Sequence, residues 1–348
     1  MLFKTVAATA LAAASLAVSA VAAPAKGKYF DKFIFVILEN NDYPDVMKDP
    51  YFASLAARGL LMTNYHGTVH PSQPNYWSTV GQSTYRDLID PATNTIINGD
   101  NGDDSFNITG RTNIADSLEN AGYTWKIYSE NYPGNCFTGH GAGDELFPNG
   151  TVKTPNRLYQ RKHNPFISYM QIQTNATRCK NLVSETEWAA DLTAGTLPDY
   201  SYYVPNQMND AHDSTIAYAS NWLQGFIEPV LNNSALNAVR TLIHIVYDED
   251  ETAYNLYYST NPPGQLANCT DLVNNCPGDA NNNRVYSLLL GSAVSCQVNS
   301  TDNTLFDHNS IVSTIEDNWG LSPMTPYQSW PLFPLKDCST PYKCVPKY

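Results

Sequence analysis

Apolar positions along the chain fall into short dense runs, separated by stretches with helical spacing. Residues 33–38 (Phe-Ile-Phe-Val-Ile-Leu) form a nearly continuous apolar run, the pattern of a strand buried on both faces of a parallel sheet. Residues 123–128 alternate apolar and polar, and 200–204, 241–247 and 285–290 are three further β-rich runs. Between them, 113–121, 214–231 and 311–318 carry apolar residues at helical intervals. This strand–helix alternation predicts an α/β fold, a mostly parallel central sheet with helices on both faces. Residues 133–181 break the rhythm: they are polar and punctuated by Pro and Gly. They are expected to form a loop-rich insertion or cap within a single domain covering 23–348.

Ligands of open parallel sheets bind at the carboxyl ends of the strands, and here those ends carry the chemistry. The first strand runs into Glu39-Asn40-Asn41-Asp42, the strand at 200–204 runs toward Asp210-Ala-His212-Asp213, and the strand at 241–247 runs into Asp248-Glu249-Asp250-Glu251. Three polar exits on one sheet edge are expected to converge on one cleft. Carboxylates and an amide oxygen from Glu39, Asn40, Asp248 and Glu249 suit a hard divalent cation. The plainer alternative is that acidic strand ends simply face water.

Composition and charge narrow the classes. The chain has 348 residues, 43% hydrophobic, and a formal charge of −13, which argues against nucleic-acid binding and against stable association with an anionic membrane. Its 23 Tyr, 12 Phe and 6 Trp exclude an intrinsically disordered chain. One early Lys, the apolar run 5–20 and small residues at Ala20, Ala22 and Ala23 form the pattern of a signal peptide, taken as residues 1–22,. The run is shorter than the ~20 residues that span a bilayer. A secreted, extracellular protein is therefore expected. Six N-x-S/T sequons, at Asn107, Asn149, Asn175, Asn232, Asn268 and Asn299, are then candidate N-glycan carriers. Seven cysteines without zinc-type spacing are expected to form disulfides and leave at least one thiol. Cys338 with Cys344, Cys269 with Cys276, and Cys136 with Cys179 are the pairs considered.

The segment Thr68-Val-His70-Pro-Ser72-Gln-Pro-Asn75-Tyr76 places a serine between two prolines, just before a stretch from Tyr76 that could start a helix. At a helix N-terminus such a serine is either a plain cap or a nucleophile with backbone N–H groups near its oxyanion. His212 is flanked by Asp210 and Asp213, either of which can orient the ring. Lys162-His163 is a candidate phosphate clamp, and His308 opens a helix. No G-x-S-x-G elbow or glycine-rich nucleotide loop occurs,.

Taken in order, Glu39-Asn40, His70-Pro-Ser-Gln-Pro-Asn-Tyr76, Pro205-Asn-x-x-x-Asp-x-His212-Asp213, Tyr247-Asp-Glu249 and Thr314-Ile-Glu-Asp-Asn-Trp319 resemble the phosphoesterase family over residues 31–321. That family holds secreted acid phosphatases, small fungal ones among them, and phosphatidylcholine-type phospholipases C, and is similar in fold to alkaline phosphatase. The resemblance implies that Ser72 is a nucleophile that becomes a phosphoserine and that Glu39, Asn40, Asp248 and Glu249 hold a divalent metal ion. It implies that His212 contacts phosphate or the leaving group, and that His163 is a further active-site histidine. The Ser-Gln-Pro-Asn run is also similar to the Thr-Phe-Pro-Asn run of nucleotide pyrophosphatases, whose threonine nucleophile matches Ser72 and whose phosphate-binding Asn has the spacing of Asn94; Asn75 and Asp210 are the other candidate substrate-binding residues.

The expected function is acid hydrolysis of small phosphate monoesters, with the acid optimum following if His212 or His163 must be cationic. Two alternatives stand beside it. One is a phospholipase C or other phosphodiesterase, disfavoured by the lack of an amphipathic interfacial helix. The other is a secreted, wall-associated glycoprotein without activity.

Overall fold

The run at 33–38 becomes strand β1 (Lys32–Leu38), buried along almost its whole length. The computed structural model describes residues 26–83, 107–251, 283–324 and 330–338, together with the backbone of 89–90 and 95–96. Residues 1–22, Asn94, Asn268, Cys269, Cys276 and Cys344 lie outside the described residues.

Seven strands join β1 in one sheet: β2 (Leu60–Met62), β3 (Trp125–Ser129), β4 (Leu182–Ser184), β5 (Tyr200–Val204), β6 (Thr241–Tyr247), β7 (Ser287–Leu290) and β8 (Ser300–Asp302). Their order is β4-β3-β5-β1-β6-β7-β2-β8. Within it β7 alone runs antiparallel to its neighbours, so the sheet is mostly parallel, as its uninterrupted apolar central strands require.

Helices cover both faces, and adjacent tyrosines of β5 show how. Tyr202 turns to one side, where its hydroxyl meets Thr79 Oγ1 at 3.0 Å and its ring meets Phe166. That side carries α1 (Ser72–Gly81), α2 (Ile114–Asn120) and α5 (Asn309–Trp319). Tyr203 turns to the other, against Trp188, Trp222 and Phe226, which belong to α3 (Glu185–Ala194) and α4 (Ile216–Leu231). The period of two along a strand thus feeds two aromatic half-cores. Local chemistry sets the helix starts. Asn113 and Asp116 form a reciprocal capping box at α2, and the Thr215 side chain accepts from Tyr218 N–H at α4,.

Residues 133–181 form short hairpins, 3-10 turns and a four-residue helix at Met170–Gln173, tied across their length by a Cys136–Cys179 disulfide. The second disulfide corrects an expectation: Cys338 bonds Cys296, with the Cα atoms 5.4 Å apart, and not Cys344. Closing a loop with a sequence separation of 42 costs little more entropy than closing a short one, so nearness in sequence is a poor guide to partners.

Burial also charges the fold with a pH dependence. The carboxyl of Glu316, on α5, is pushed up to about 7 by burial, although the Met324 N–H bond pulls the other way. Burial raises Glu130 and Asp307 as well. An unfolded glutamate releases its proton near pH 4.5 and the folded one only near 7, so the folded state loses stability as pH rises across that window. The melting temperature should therefore fall between pH 5 and pH 8, and Glu316→Gln should recover about 2–4 °C of the drop. Parallel melting curves at the two pH values check it; an unchanged drop in the variant refutes the assignment.

Candidate active site

Strand register builds the centre. In the parallel pairing of β1 with β6, Leu38 lies opposite Tyr247, so Glu39 and Asp248 leave the sheet side by side. Asp248 N–H donates to Leu38 O at 2.9 Å, and Asn40 N–H donates to Asp248 Oδ1 at 3.1 Å. On the other flank Glu39 N–H donates to the Asp210 carbonyl at 3.0 Å. Asn40 takes φ +36°, a left-handed conformation that asparagine tolerates better than most side chains, and there the backbone turns out of the sheet.

Ser72 comes to this edge from below. Pro71 is the N-cap of α1 and makes no side-chain cap bond, so Ser72 is the first helical residue and its hydroxyl does not cap the helix. Ser72 Oγ lies 3.0 Å from Glu39 Oε2, 3.1 Å from Glu249 Oε1 and 3.4 Å from Asn40 Oδ1. One hydroxyl thus meets oxygens from both acidic strand exits. Asn75, a turn further on, accepts Thr68 and Val69 N–H groups and donates to Val69 O and to Glu249 Oε2 at 3.2 Å. It fixes the loop entering the helix and one carboxylate of the cluster.

The insertion supplies a second wall. His163 is buried, stacked on Tyr76 with ring centroids 4.8 Å apart, and its Nε2 stands 3.2 Å from Glu39 Oε1. Gln207 Nε2 lies 2.9 Å from His163 Nδ1, an amide donor that leaves the proton of the neutral ring on Nε2. Burial, reinforced by the nearby Lys162, His212 and Arg157 charges, holds the ring well below the usual imidazole range. A cationic His163 as the source of an acid optimum is therefore not what the fold provides. His212 is partly exposed, and its Nδ1 is 2.8 Å from Asp213 Oδ1. Asp213 also takes a two-pronged contact from Arg157, at 2.5 and 2.8 Å. Although burial alone would raise the Asp213 carboxyl, the Arg157 and His212 bonds hold it well below the carboxylate range. Asp213 is thus the orienting partner of His212. The buried Asp210 instead accepts the His212 backbone N–H at 2.8 Å.

Four buried carboxylates, Glu39, Asp210, Asp248 and Glu249, meet at this edge. Burial, then the charges of Glu39 and Glu249, pushes Asp248 well up, and burial with Glu39 does the same to Asp210. Such crowding disfavours full ionisation unless positive charge is present. Among the described residues, no three His, Cys, Asp or Glu side chains are pre-arranged as a metal-binding group. The donor chemistry, four carboxylates with an amide oxygen and a hydroxyl, nevertheless fits a hard divalent cation.

The cluster opens on a cavity of about 330 Å³ lined by Asn40, Ser72, Lys162, His212, Thr215 and Glu249, among others. Residues to which the sequence assigns no role at the site support it. His70 Nδ1 lies 2.9 Å from Glu249 Oε2. His308 Nε2 contacts the Asp248 carbonyl at 2.5 Å while its Nδ1 meets Tyr65 Oη at 3.2 Å, and burial lowers the ring to about 4. A Cβ on Gly67 would sit 2.6 Å from that same Asp248 carbonyl. Of these, His70 carries the stronger sequence signal, two residues before Ser72.

Residues 32–322 match the sequence profile of the phosphoesterase family. The chain belongs to that family. It is 31% identical to an acid phosphatase of Aspergillus fumigatus over 89% of its own length and 59% of that protein. It is also 31% identical to a phosphate-repressible acid phosphatase of Penicillium chrysogenum, over 85% of this chain and 60% of that one. The chain thus spans about three fifths of the length of these curated relatives. In architecture it is similar to a Vibrio parahaemolyticus protein of the alkaline phosphatase superfamily, with a TM-score of 0.51, 12% identity, and coverage of 87% of this chain and 70% of that one. The fold is that of the superfamily.

Proposed function

We propose that this phosphoesterase is a secreted acid phosphatase that hydrolyses phosphate monoesters through a phosphoserine on Ser72, at a site assisted by a divalent metal ion. The observation that carries the reading is the Ser72 hydroxyl, at a helix N-terminus, within hydrogen-bond reach of Glu39 and Glu249 on a polar cleft. Its acid phosphatase relatives favour the same class.

Glu39, Asn40, Asp248 and Glu249 would hold the cation, which supplies neutralising charge and makes the serine hydroxyl more acidic. The Ser72 proton leaves along one of its two short bonds, to Glu39 Oε2 or Glu249 Oε1, as Oγ attacks phosphorus. The positive end of the α1 dipole lies at Ser72 and favours the incoming phosphate oxygens. His212, its Nδ1 held by Asp213, gives a proton to the departing alkoxide from Nε2. Water then attacks the phosphoserine, releasing inorganic phosphate and restoring the hydroxyl. Lys162, on the cleft wall, is placed to hold a non-bridging phosphate oxygen. His163, kept neutral and stacked on Tyr76, orients Glu39.

Secretion and N-glycosylation are part of the proposal. They are supported by two disulfides, and by the exposure of Asn107, Asn149, Asn175, Asn232 and Asn299. Among the described residues no helix is long and apolar enough to cross a membrane.

The cleft is lined mostly by polar groups among the described residues, which favours a monoester over an ester with a lipid arm. An aryl phosphate monoester should turn over with kcat/KM about 10²-fold above its methyl diester analogue. Equal or reversed rates would replace the phosphatase with a diesterase.

A further inference from the structure

Away from the cleft, the insertion carries a hairpin whose tip is apolar and exposed. Leu146, Phe147 and Val152 are 54%, 48% and 50% exposed; Leu146 and Val152 belong to strands Glu145–Leu146 and Val152–Thr154, and Phe147 opens the turn between them. Large apolar side chains gathered on one surface loop mark a place where something else packs. The sequon Asn149-Gly-Thr151 lies between them.

The turn itself is specific. Gly150 N–H donates to Phe147 O, and Phe147 N–H donates to Thr151 O, both at 2.8 Å. Pro148 occupies the second position of the turn, Asn149 is absent from the positive-φ residues, and Gly150 has φ +81°. This is a type I turn followed by a glycine bulge. The Phe147–Thr151 bond sets these two residues facing each other across the turn, with Asn149 between them in the chain. Thr151 N–H and Oγ1 both donate to Asn149 Oδ1, at 3.0 and 2.7 Å, which fixes the amide with its nitrogen turned outward.

We propose that Asn149 carries an N-linked glycan whose first sugar lays its apolar face on the Phe147 ring, closing the exposed tip and stiffening the hairpin. The inference rests on the secretory reading given above. In the modification, Asn149 Nδ2 displaces the diphosphate of a lipid-linked oligosaccharide donor at the anomeric carbon. One N–C bond forms, the sugar–phosphate bond breaks, and the lipid diphosphate and an amide proton leave. Sugar C–H groups on an aromatic face combine apolar burial with attraction to the ring's negative face. The unusual exposure of Phe147 is then a feature of the bare chain alone.

The test is a four-protein cycle secreted from one glycosylating eukaryotic host: wild type, Phe147→Ala, Thr151→Ala and the double variant. Site occupancy is mapped by mass spectrometry, glycans are trimmed to a single sugar, and amide exchange at residues 147 and 150 is corrected for intrinsic rates. Thr151→Ala removes the sequon while keeping Asn149. In the sugar-bearing pair Phe147→Ala should speed exchange roughly fivefold; in the pair without sugar the change should stay under about twofold. Equal effects in both pairs overturn the stacking. A bare Asn149 beside occupied sequons elsewhere overturns the site alone. A secreted product with no sugar at any sequon overturns it together with the glycoprotein reading.

Discussion

Ser72→Ala is expected to lower turnover of an aryl phosphate by roughly 10⁴-fold or more, with the fold intact. The oxygen removed is the attacking atom, and nothing nearby replaces it: Glu39, Asn40, Asp248 and Glu249, which it contacts, are acceptors or candidate metal ligands. Structural cost should be small, because Ser72 makes no cap bond to α1 and alanine is a better helix former. The hydrogen bonds lost are worth about 1–3 kcal/mol, those to charged groups being the stronger. Acid-quenched wild type should carry one phosphoryl group on the Ser72 peptide, and the variant none. Phosphorylation at another residue, or near-wild-type rates in the variant, would remove Ser72 from the nucleophile's place.

Much of this arrangement is legible in the chain because parallel strands couple sequence to space. Continuous apolar runs mark β1 and β6 as buried strands of a parallel sheet, and the polar residues that follow each then emerge at the same edge. That is why Glu39 and Asp248 can be assigned to one edge from the sequence, while their adjacency comes from the register. The strands Leu60–Met62, Leu182–Ser184 and Ser300–Asp302 are three residues each, too short to display a period. Helix α1 begins at Ser72, four residues before the Tyr76 start that the sequence suggests. Pro71 is the N-cap, and Pro74 stands in the first turn, where a missing N–H costs nothing. Contacts made only in three dimensions were unreadable: Arg157 on Asp213, Gln207 on His163, His308 on the Asp248 carbonyl. The protonation of His163 was equally hidden, since burial sets it and neighbouring residues in sequence do not.

Asp248→Asn should cost roughly 10³-fold in kcat/KM and yet raise the melting temperature of metal-free protein. Asp248 is fully buried against the charges of Glu39 and Glu249, with burial itself the larger penalty. Asparagine keeps the shape and the acceptor for Asn40 N–H while removing a buried negative charge, so the bare fold relaxes. The same substitution removes a donor from the oxygen set that suits a divalent cation. Function therefore holds this corner away from its stability optimum. The two proteins should respond differently to chelation: stringent removal of divalent ions should lower the wild-type melting temperature, because ligand binding stabilises the state that binds, and leave the variant nearly unmoved. Activity and melting curves on both proteins, with and without chelator and with Mg²⁺, Ca²⁺ or Zn²⁺ restored, decide the matter. A variant that loses stability, or a wild type indifferent to chelation, would mean that the four carboxylates are neutralised by protons and protein dipoles and that no cation binds among them.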